Sequence, residues 1–534
     1  MNDYGIVIGF LARIAVKLKF IYDNSYTAEL IRRIASAFNA LFEQSVIIKG
    51  FLNEGRLVDA WENSTFYRAL SWLLTAPIRA IGFLWSKVKV YVEDSLFYKL
   101  VSNSLFGKII IYAIDKFEIL LGGSILVTAA INHTYWKNYY SLIFAFALLV
   151  LFYFRAYRNK YKSFGIKYLD FTFFAFVFVI AFVQITGIFP KDSLKFFIFY
   201  VTCFLYVLLI VASMRTSKSL NNMVEIALMG ISLTGLYGIY QAIRGVPTDP
   251  SLVDMTLNAG MPGRVYSTMQ NPNSYAEVLI LMLPFFVAVI FNAKTIRRKL
   301  FFTCAAMPVI VALLATGSRS AWVALILAGF VYVFFKEKRL IPVFILLGLL
   351  CIPIIQIVAP SIFLRAMTIF NGNDTSSLWR TQIYETFKPM LKDYWFTGIG
   401  LGAGDMNQTF EKMIQNYSLE PVDPGKLTGY IPPHTHNLFF QVWIEAGIFG
   451  IASFIWMIWR LFRQSVIAIR NKCDEKAVNL IIAGISGLAG CLVIGTKEYV
   501  WFYPRTMVFF FVNIGIIYAA ISITKKKKDT FPEN

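Results

Sequence analysis

The sequence predicts an all-α, polytopic integral membrane protein with about twelve transmembrane helices and a large extracytoplasmic loop between helices nine and ten. Composition is the first observation: of 534 residues, 57% are hydrophobic and only 15% charged, against roughly 25% charged in a soluble domain. The second is a series of apolar runs between residues 117 and 523, each about 15–23 residues long and so near the length that crosses the hydrocarbon core. The third is the placement of the basic residues. The net charge of +20 would suit a nucleic-acid partner, but the charges alternate from loop to loop, and no nucleic acid is expected.

Twelve spans are read: Phe117–Ile131, Tyr140–Phe154, Phe171–Phe189, Phe196–Ala212, Val224–Ile243, Tyr275–Phe291, Leu300–Ala315, Ala321–Phe335, Leu340–Ala359, Leu438–Trp459, Val478–Ile494 and Trp501–Ile523. The first, second and seventh are short, so eleven to thirteen spans fit. Loops on one side carry 23 Lys and Arg, from Arg155 through Arg215, Lys294–Lys299, Lys336–Arg339 and Arg460–Lys476 to Lys525–Lys528, while the short loops opposite carry six. Basic residues stay cytoplasmic during insertion, so both termini are expected inside. A bacterial cytoplasmic membrane is the expected location. Of the five cysteines, Cys203, Cys304, Cys351 and Cys491 fall in spans and Cys473 in an inner loop, leaving none for an outer disulfide.

Residues 1–116 precede this core of 117–523. They hold 14 basic and 10 acidic residues among apolar stripes such as TAPIRAIGFLWSKVKVYV. No run there is long and clean enough to span comfortably, so basic amphipathic helices on the cytoplasmic leaflet, or a small helical domain packed on the core, are expected. The run Tyr4–Ala15 lacks a small-residue cleavage site, and no cleavable leader is expected. Residues 524–534 read as a basic cytoplasmic tail.

Two long outer loops remain, 244–274 and 360–437. The second, of roughly 78 residues, is the longer, and long loops are usually functional. Its segment SSLWRTQIYETFKPMLKDYW places Trp379, Ile383, Phe387, Met390, Leu391 and Tyr394 at helical spacing, with Pro389 to bend the helix and Gly398 to stop it. A helix lying on the outer membrane surface is expected.

Candidate chemistry converges on this outer face. ATGSRSAW places Arg319 at the mouth of the eighth span, where a break at Thr316–Ser318 would also supply backbone amides for an anion; snorkelling to headgroups is the bland alternative. Arg380 lies beside the apolar stripe and Arg264 in a Gly/Pro/Asn-rich turn, where a solvated face would equally explain them. Asn271 and Asn273 flank Pro272 as a helix N-cap. In PPHTHNLFFQVWIEAGIFG, His434 and His436 stand at the mouth of the tenth span. Behind them Asn437, Gln441 and Glu445 recur on one helical face. Polar groups inside a span are functional by default, and a histidine there can take a proton near neutral pH. The outer loops hold no Asp-Xaa-Asp pair, so no metal or other cofactor is expected. Guanidinium forks bind phosphate through two oxygens, which suits a lipid-linked pyrophosphate sugar and glycosyl transfer.

TGSRSAW, LWRTQIYE, GIGLGAG and HTHNLFFQVWIEAGIFG resemble the blocks of the bacterial O-antigen ligase and O-antigen polymerase superfamily, and GRVYSTMQNPNSYAE resembles its upstream block. The resemblance covers about Gly263–Gly450. It implies an inverting, metal-independent transferase acting outside the cytoplasmic membrane. Such an enzyme moves a glycan from undecaprenyl pyrophosphate to a glycan, lipid or protein acceptor. By motif, Arg319 and Arg380 match the arginines that bind the diphosphate, and His436 the histidine that activates the acceptor. His434 falls outside the His-Asn motif and is secondary. Docking to envelope polysaccharide assembly proteins is the expectation for residues 1–116. Polymerase and ligase differ only in acceptor, which the sequence does not name; the reading leans to a polymerase or a broadly defined glycan ligase. A twelve-span transporter of lipid-linked or small solutes would carry its longest connection in the middle and inside, unlike this chain. A scaffold role leaves Gln441 and Glu445 without a reason.

Overall fold

The computed structural model describes residues 57–161, 163–247, 263–370, 375–402 and 434–530, together with Glu29 and Arg33. Expectations for residues 1–56, for 248–262, 371–374 and 403–433 of the outer loops, and for 531–534 of the tail fall outside these described residues. Within them the chain is helical: α1 Leu57–Glu62, α2 Thr65–Asp94, α3 Leu96–Asn103, α4 Leu105–Asp115, α5 Phe117–Ala130, α6 Tyr139–Arg158, α7 Phe171–Thr186, α8 Pro190–Ser213 and α9 Ser217–Arg244. There follow α10 Pro272–Asn292, α11 Ile296–Ala315, α12 Arg319–Lys336, α13 Ile341–Val358, α14 Pro360–Met367, α15 Thr375–Tyr394, α16 Leu438–Asn471, α17 Glu475–Ile494 and α18 Pro504–Thr530.

Among the described residues, eleven helices are long and apolar enough to cross a membrane by length and composition. Ten of them coincide with ten of the twelve expected spans, and α5 and α7 are the other two. Both are apolar but short, at 14 and 16 residues. The third expected span ends at Thr186 instead of Phe189 because Gly187 caps α7 and Pro190 already opens α8. The twelfth begins at Pro504, not Trp501. The fold is that of an all-α polytopic membrane protein.

The eleventh candidate, α2, was not expected. Its 30 residues extend about 45 Å, against the expectation that nothing before residue 117 could span. Its contacts lie along one surface of the bundle. Trp61, just before it, stacks on Phe174 with ring centroids 5.5 Å apart. Tyr153 donates to Leu74 O at 3.2 Å, and Phe164 N donates to Thr75 Oγ1 at 3.3 Å. Gly82 lies against the Tyr157 ring. All four partners belong to the end of α6, the α6–α7 connection or the start of α7, so α2 packs against that part of the bundle.

The bundle is layered. α18 is buried along its apolar length, α10 and α17 nearly so, whereas α13 buries none of its residues. Small residues permit the closest crossings, as in membrane helix pairs generally. A Cβ on Gly122 of α5 would lie 2.7 Å from Met223 O of α9, and one on Gly487 of α17 would lie 2.6 Å from Leu281 O of α10.

Polar links define the two ends. At the end carrying the basic loops, Asp170 caps α7 and accepts from Arg460 Nη2 at 2.6 Å and from Gln464 Nε2 at 2.5 Å. Nearby, a hydrogen-bonded chain joins five helices: Arg298 of α11 pairs with Glu225 of α9, which accepts from Asn221 at 2.6 Å. Asn221 accepts from Asn292 of α10, Asn292 from Asn479 of α17, and Asn479 from Lys336 of α12, at 2.8, 2.8 and 2.7 Å. The candidate site occupies the opposite end.

Candidate active site

The site is built on a broken helix. Gly447 inside α16 has φ 63° and ψ −167°, a left-handed conformation that only glycine adopts cheaply. The break leaves the carbonyls of the preceding turn without their helical donors. Ile399 N donates to Ile444 O at 2.9 Å and Gly400 N to Glu445 O at 3.0 Å. A Cβ on Gly398 would lie 2.4 Å from Glu445 O. The expected stop at Gly398 and residues 398–402 of the GIGLGAG block are thus one structural unit with EAGIFG.

Helix α15 closes over this unit. Its stripe residues Ile383, Phe387 and Met390 are buried with Phe189, Ile399 and Ile444. The stripe therefore packs on protein, not on the membrane surface as expected, because the broken end of α16 offers it an apolar seat. Pro389 sits inside α15 without ending it; the side chain of Trp379 falls outside the described residues.

Against this seat three polar side chains meet on Glu498, a buried carboxylate in the α17–α18 turn. His436 Nδ1 lies 3.1 Å from Glu498 Oε2. Arg380 Nη2 donates to Oε1 at 2.5 Å and Arg380 Nε to Lys497 O at 2.9 Å. Asn273 Nδ2 donates to Oε1 at 3.1 Å, and Arg264 in turn donates to Asn273 Oδ1. Burial raises the affinity of Glu498 for a proton, but Arg380 and then His436 outweigh it and hold the carboxyl well below its usual range. Asn271 caps α10 as expected, whereas Asn273, also read as a cap residue, is a link within the site.

The other arginines gather at the turn between α11 and α12. Arg264 Nε donates to Thr316 O at 2.7 Å and Arg365 Nε to Gly317 O at 2.6 Å. Arg319 Nη1 donates to Thr368 Oγ1 at 2.8 Å. Burial, and next the charge of Arg365, push the Arg264 guanidinium down to about 9, with Arg319 and Arg380 adding to the effect and Glu498 opposing it. It remains a cation at neutral pH. The backbone amides expected to serve an anion here are already used: Thr316 N donates to Ala312 O, Gly317 N to Leu314 O and Ser318 N to Thr316 Oγ1. The tight turn at Gly317 consumes them, so anion recognition at this spot falls to the guanidinium groups.

His436 has φ 48°, uncommon for a residue with a side chain. Its N–H donates to His434 Nδ1 at 3.1 Å, which requires that nitrogen of His434 to be unprotonated. Burial agrees, lowering the affinity of His434 for a proton well below the ordinary histidine value, and His436 adds to this. Asn437 caps α16 by accepting from Phe440 N at 3.0 Å. Gln441 accepts from Thr435 N at 2.9 Å and donates to Glu445 Oε1 at 2.9 Å; Tyr499 donates to the same oxygen at 3.5 Å. His434, Asn437, Gln441 and Glu445 thus brace the loop that presents His436.

Residues 304–455 match the family described as O-antigen ligase. The match to an O-antigen ligase domain is to this segment of the chain. It is also similar to a ComP-specific O-oligosaccharyltransferase of Acinetobacter baylyi, 23% identical over 444 residues, covering 79% of this chain and 73% of that protein. The ligase-domain match includes Arg319, Arg365, Arg380 and His436, whereas Arg264, Asn273 and Glu498 come to the site from outside it.

Two residues of the candidate site escaped the sequence reading. Glu498 stands in TKEYVW, a short turn between two apolar runs; an acidic residue in a six-basic outer set was a usable signal. Arg365, in PSIFLRAM, lies in the outer loop outside the quoted blocks.

Proposed function

We propose that the protein is a membrane glycosyltransferase of the ligase type. It moves a glycan from undecaprenyl pyrophosphate to an acceptor hydroxyl at the outer face of the bacterial cytoplasmic membrane, with inversion and without a metal ion. The polyprenyl tail lies among the helices, and the arginines at their mouth hold the diphosphate. His436 takes the proton of the acceptor hydroxyl while the acceptor oxygen bonds to the anomeric carbon. The bond from that carbon to the phosphate oxygen breaks, and its electron pair leaves with the diphosphate. Attack opposite the leaving group inverts the anomeric centre. General-base help of this kind contributes roughly 10²–10⁴-fold, and fixed guanidinium groups in a dry site stabilise the charge that develops on the leaving group.

The observation that carries this reading is the sharing of one buried carboxylate by His436 and Arg380. Glu498 fixes the imidazole through Nδ1, so that Nε2 is the nitrogen for the acceptor's proton, and ties the base to a donor-binding arginine. The family description and the transferase named as a relative support glycan transfer to oxygen, and favour ligase over polymerase. The basic-loop asymmetry supports termini inside and the site outside. Membrane lipids and envelope polysaccharide assembly proteins are the further partners.

The test is the lipid-linked glycan profile of cells lacking the protein. Glycan should accumulate on undecaprenyl pyrophosphate, wild type should clear it, and His436→Ala should insert normally but fail to clear it. Accumulated full-length polymer identifies a ligase, and accumulated single repeat units a polymerase. Full clearance by His436→Ala would remove the base assignment, and a profile unchanged by the deletion would remove the function.

A further inference from the structure

We infer that Tyr384 is a positioning residue for the base. Its hydroxyl holds the main chain of His436 in the conformation that presents the imidazole, and ties that conformation to the docking of α15. The inference rests on the reading of His436 as the base and adds a residue that acts through it.

The first support is the backbone of His436. At φ 48° a residue with a side chain sits in a sparsely populated region, which persists where the surrounding structure enforces it. Both polar groups of its main chain are held by side chains. The N–H donates to His434 Nδ1 at 3.1 Å, and the carbonyl accepts from the Tyr384 hydroxyl at 3.4 Å. His434 belongs to the same loop. Tyr384 lies 52 residues earlier, on a separate helix.

The second support is the place of α15. Three consecutive residues of the base loop are stitched to the α17–α18 turn. His436 Nδ1 meets Glu498 Oε2 at 3.1 Å, Asn437 Nδ2 donates to Thr496 O at 3.2 Å, and Leu438 N donates to Gly495 O at 2.7 Å. Helix α15 grips both sides of this seam. Arg380 takes the turn, through Lys497 O and Glu498. Tyr384 follows four residues later, on the same helical face, and takes the loop. One helix thus fixes the base twice: its ring by way of Glu498, its main chain by way of Tyr384.

The third support is that ring and hydroxyl have separate partners. The Tyr384 ring packs edge-on against Phe440, with centroids 6.0 Å apart, beside the buried Ile383 and Phe387. A phenylalanine would keep that packing. The hydroxyl reaches the His436 carbonyl and the Asn437 side chain, both in the loop that carries the base.

The test compares wild type, Tyr384→Phe, His436→Ala and the double variant, each full-length and reconstituted in vesicles. Donor and acceptor come from a membrane extract of cells lacking the protein. Tyr384→Phe should lower kcat about five- to tenfold, the scale of one hydrogen bond, with KM for the lipid-linked glycan and the unfolding temperature close to wild type. In the His436→Ala background the same substitution should cost nothing further, because the hydroxyl then has no base to position. Wild-type kcat in Tyr384→Phe, with His436→Ala impaired, would overturn the inference alone. Equal losses from Tyr384→Phe in both backgrounds, or a raised KM with unchanged kcat, would move the hydroxyl's role to the substrate or the fold and overturn it as well. Full activity in His436→Ala would instead remove the base reading on which the inference stands.

Discussion

The two ends of this bundle use the same side chains in different ways. At the basic end three cations each meet a side-chain partner: Arg460 has Asp170, Arg298 has Glu225 and Lys336 has Asn479. At the site end Arg264, Arg365 and Arg319 lean on backbone carbonyls or a threonine, while Arg380 and His436 share Glu498. One-to-one pairing locks helices together. In the function proposed above, the convergence of cations on one turn and on Glu498 is what receives the anionic donor.

Neutralising Glu498 and Asp170 separates these two uses. Glu498→Gln should lower transfer about 100-fold, since the base loses the charge that orients it, while the unfolding temperature falls less than in Asp170→Asn because Arg380 is more exposed than Arg460. Loss of stability with normal transfer in the folded fraction would make Glu498 another structural pair. Asp170→Asn should do the reverse. Removing one partner of a buried pair costs about 3–5 kcal/mol, so the unfolding temperature in detergent should fall clearly, with KM for the lipid-linked donor unchanged. A raised KM would mean that the basic end also senses the donor.

Gly447→Ala comes next in size. A non-glycine residue at that φ costs about 1–2 kcal/mol, and its Cβ would lie 2.1 Å from Phe396 O. The seat of α15 should loosen, and activity should drop more than stability because α15 carries Arg380. Equal losses in both would place the break outside the site's preorganisation. The smallest effect concerns His434. Its folded-state proton affinity lies below the ordinary histidine value of 6.5, so the unfolded chain binds the extra proton first. Stability is therefore full above about pH 6.5 and declines as the pH falls below it. His434→Gln should flatten that slope in thermal scans at pH 5 to 7; an unchanged slope would assign it to another group.

Hydropathy showed nearly the whole bundle in advance because a span must be apolar along its length, and α10 to α13 and α17 fall close to where the runs lie. The ordered blocks likewise marked Arg319, Arg380 and His436, which the structure brings to one end. What the sequence concealed depends on contacts between distant loops. Glu498 lies 62 residues from His436, and nothing local says that they touch. The break at Gly447 sits inside the expected span Leu438–Trp459, where a glycine is usually only a packing residue. The stripe of α15 was legible, but whether it would meet membrane or protein depended on that hidden break. The stripe of α2 was read as amphipathic helix, but its charges hid the helix's full length.

The central claim is that His436 activates the acceptor while the arginines hold the donor. Purified wild type and His436→Ala, matched for unfolding temperature, should be compared for release of undecaprenyl pyrophosphate from lipid-linked glycan in the presence of acceptor. The account predicts release by wild type in step with product formed, and a rate at least about 100-fold lower for His436→Ala with donor affinity retained. Equal release by the two proteins would contradict it.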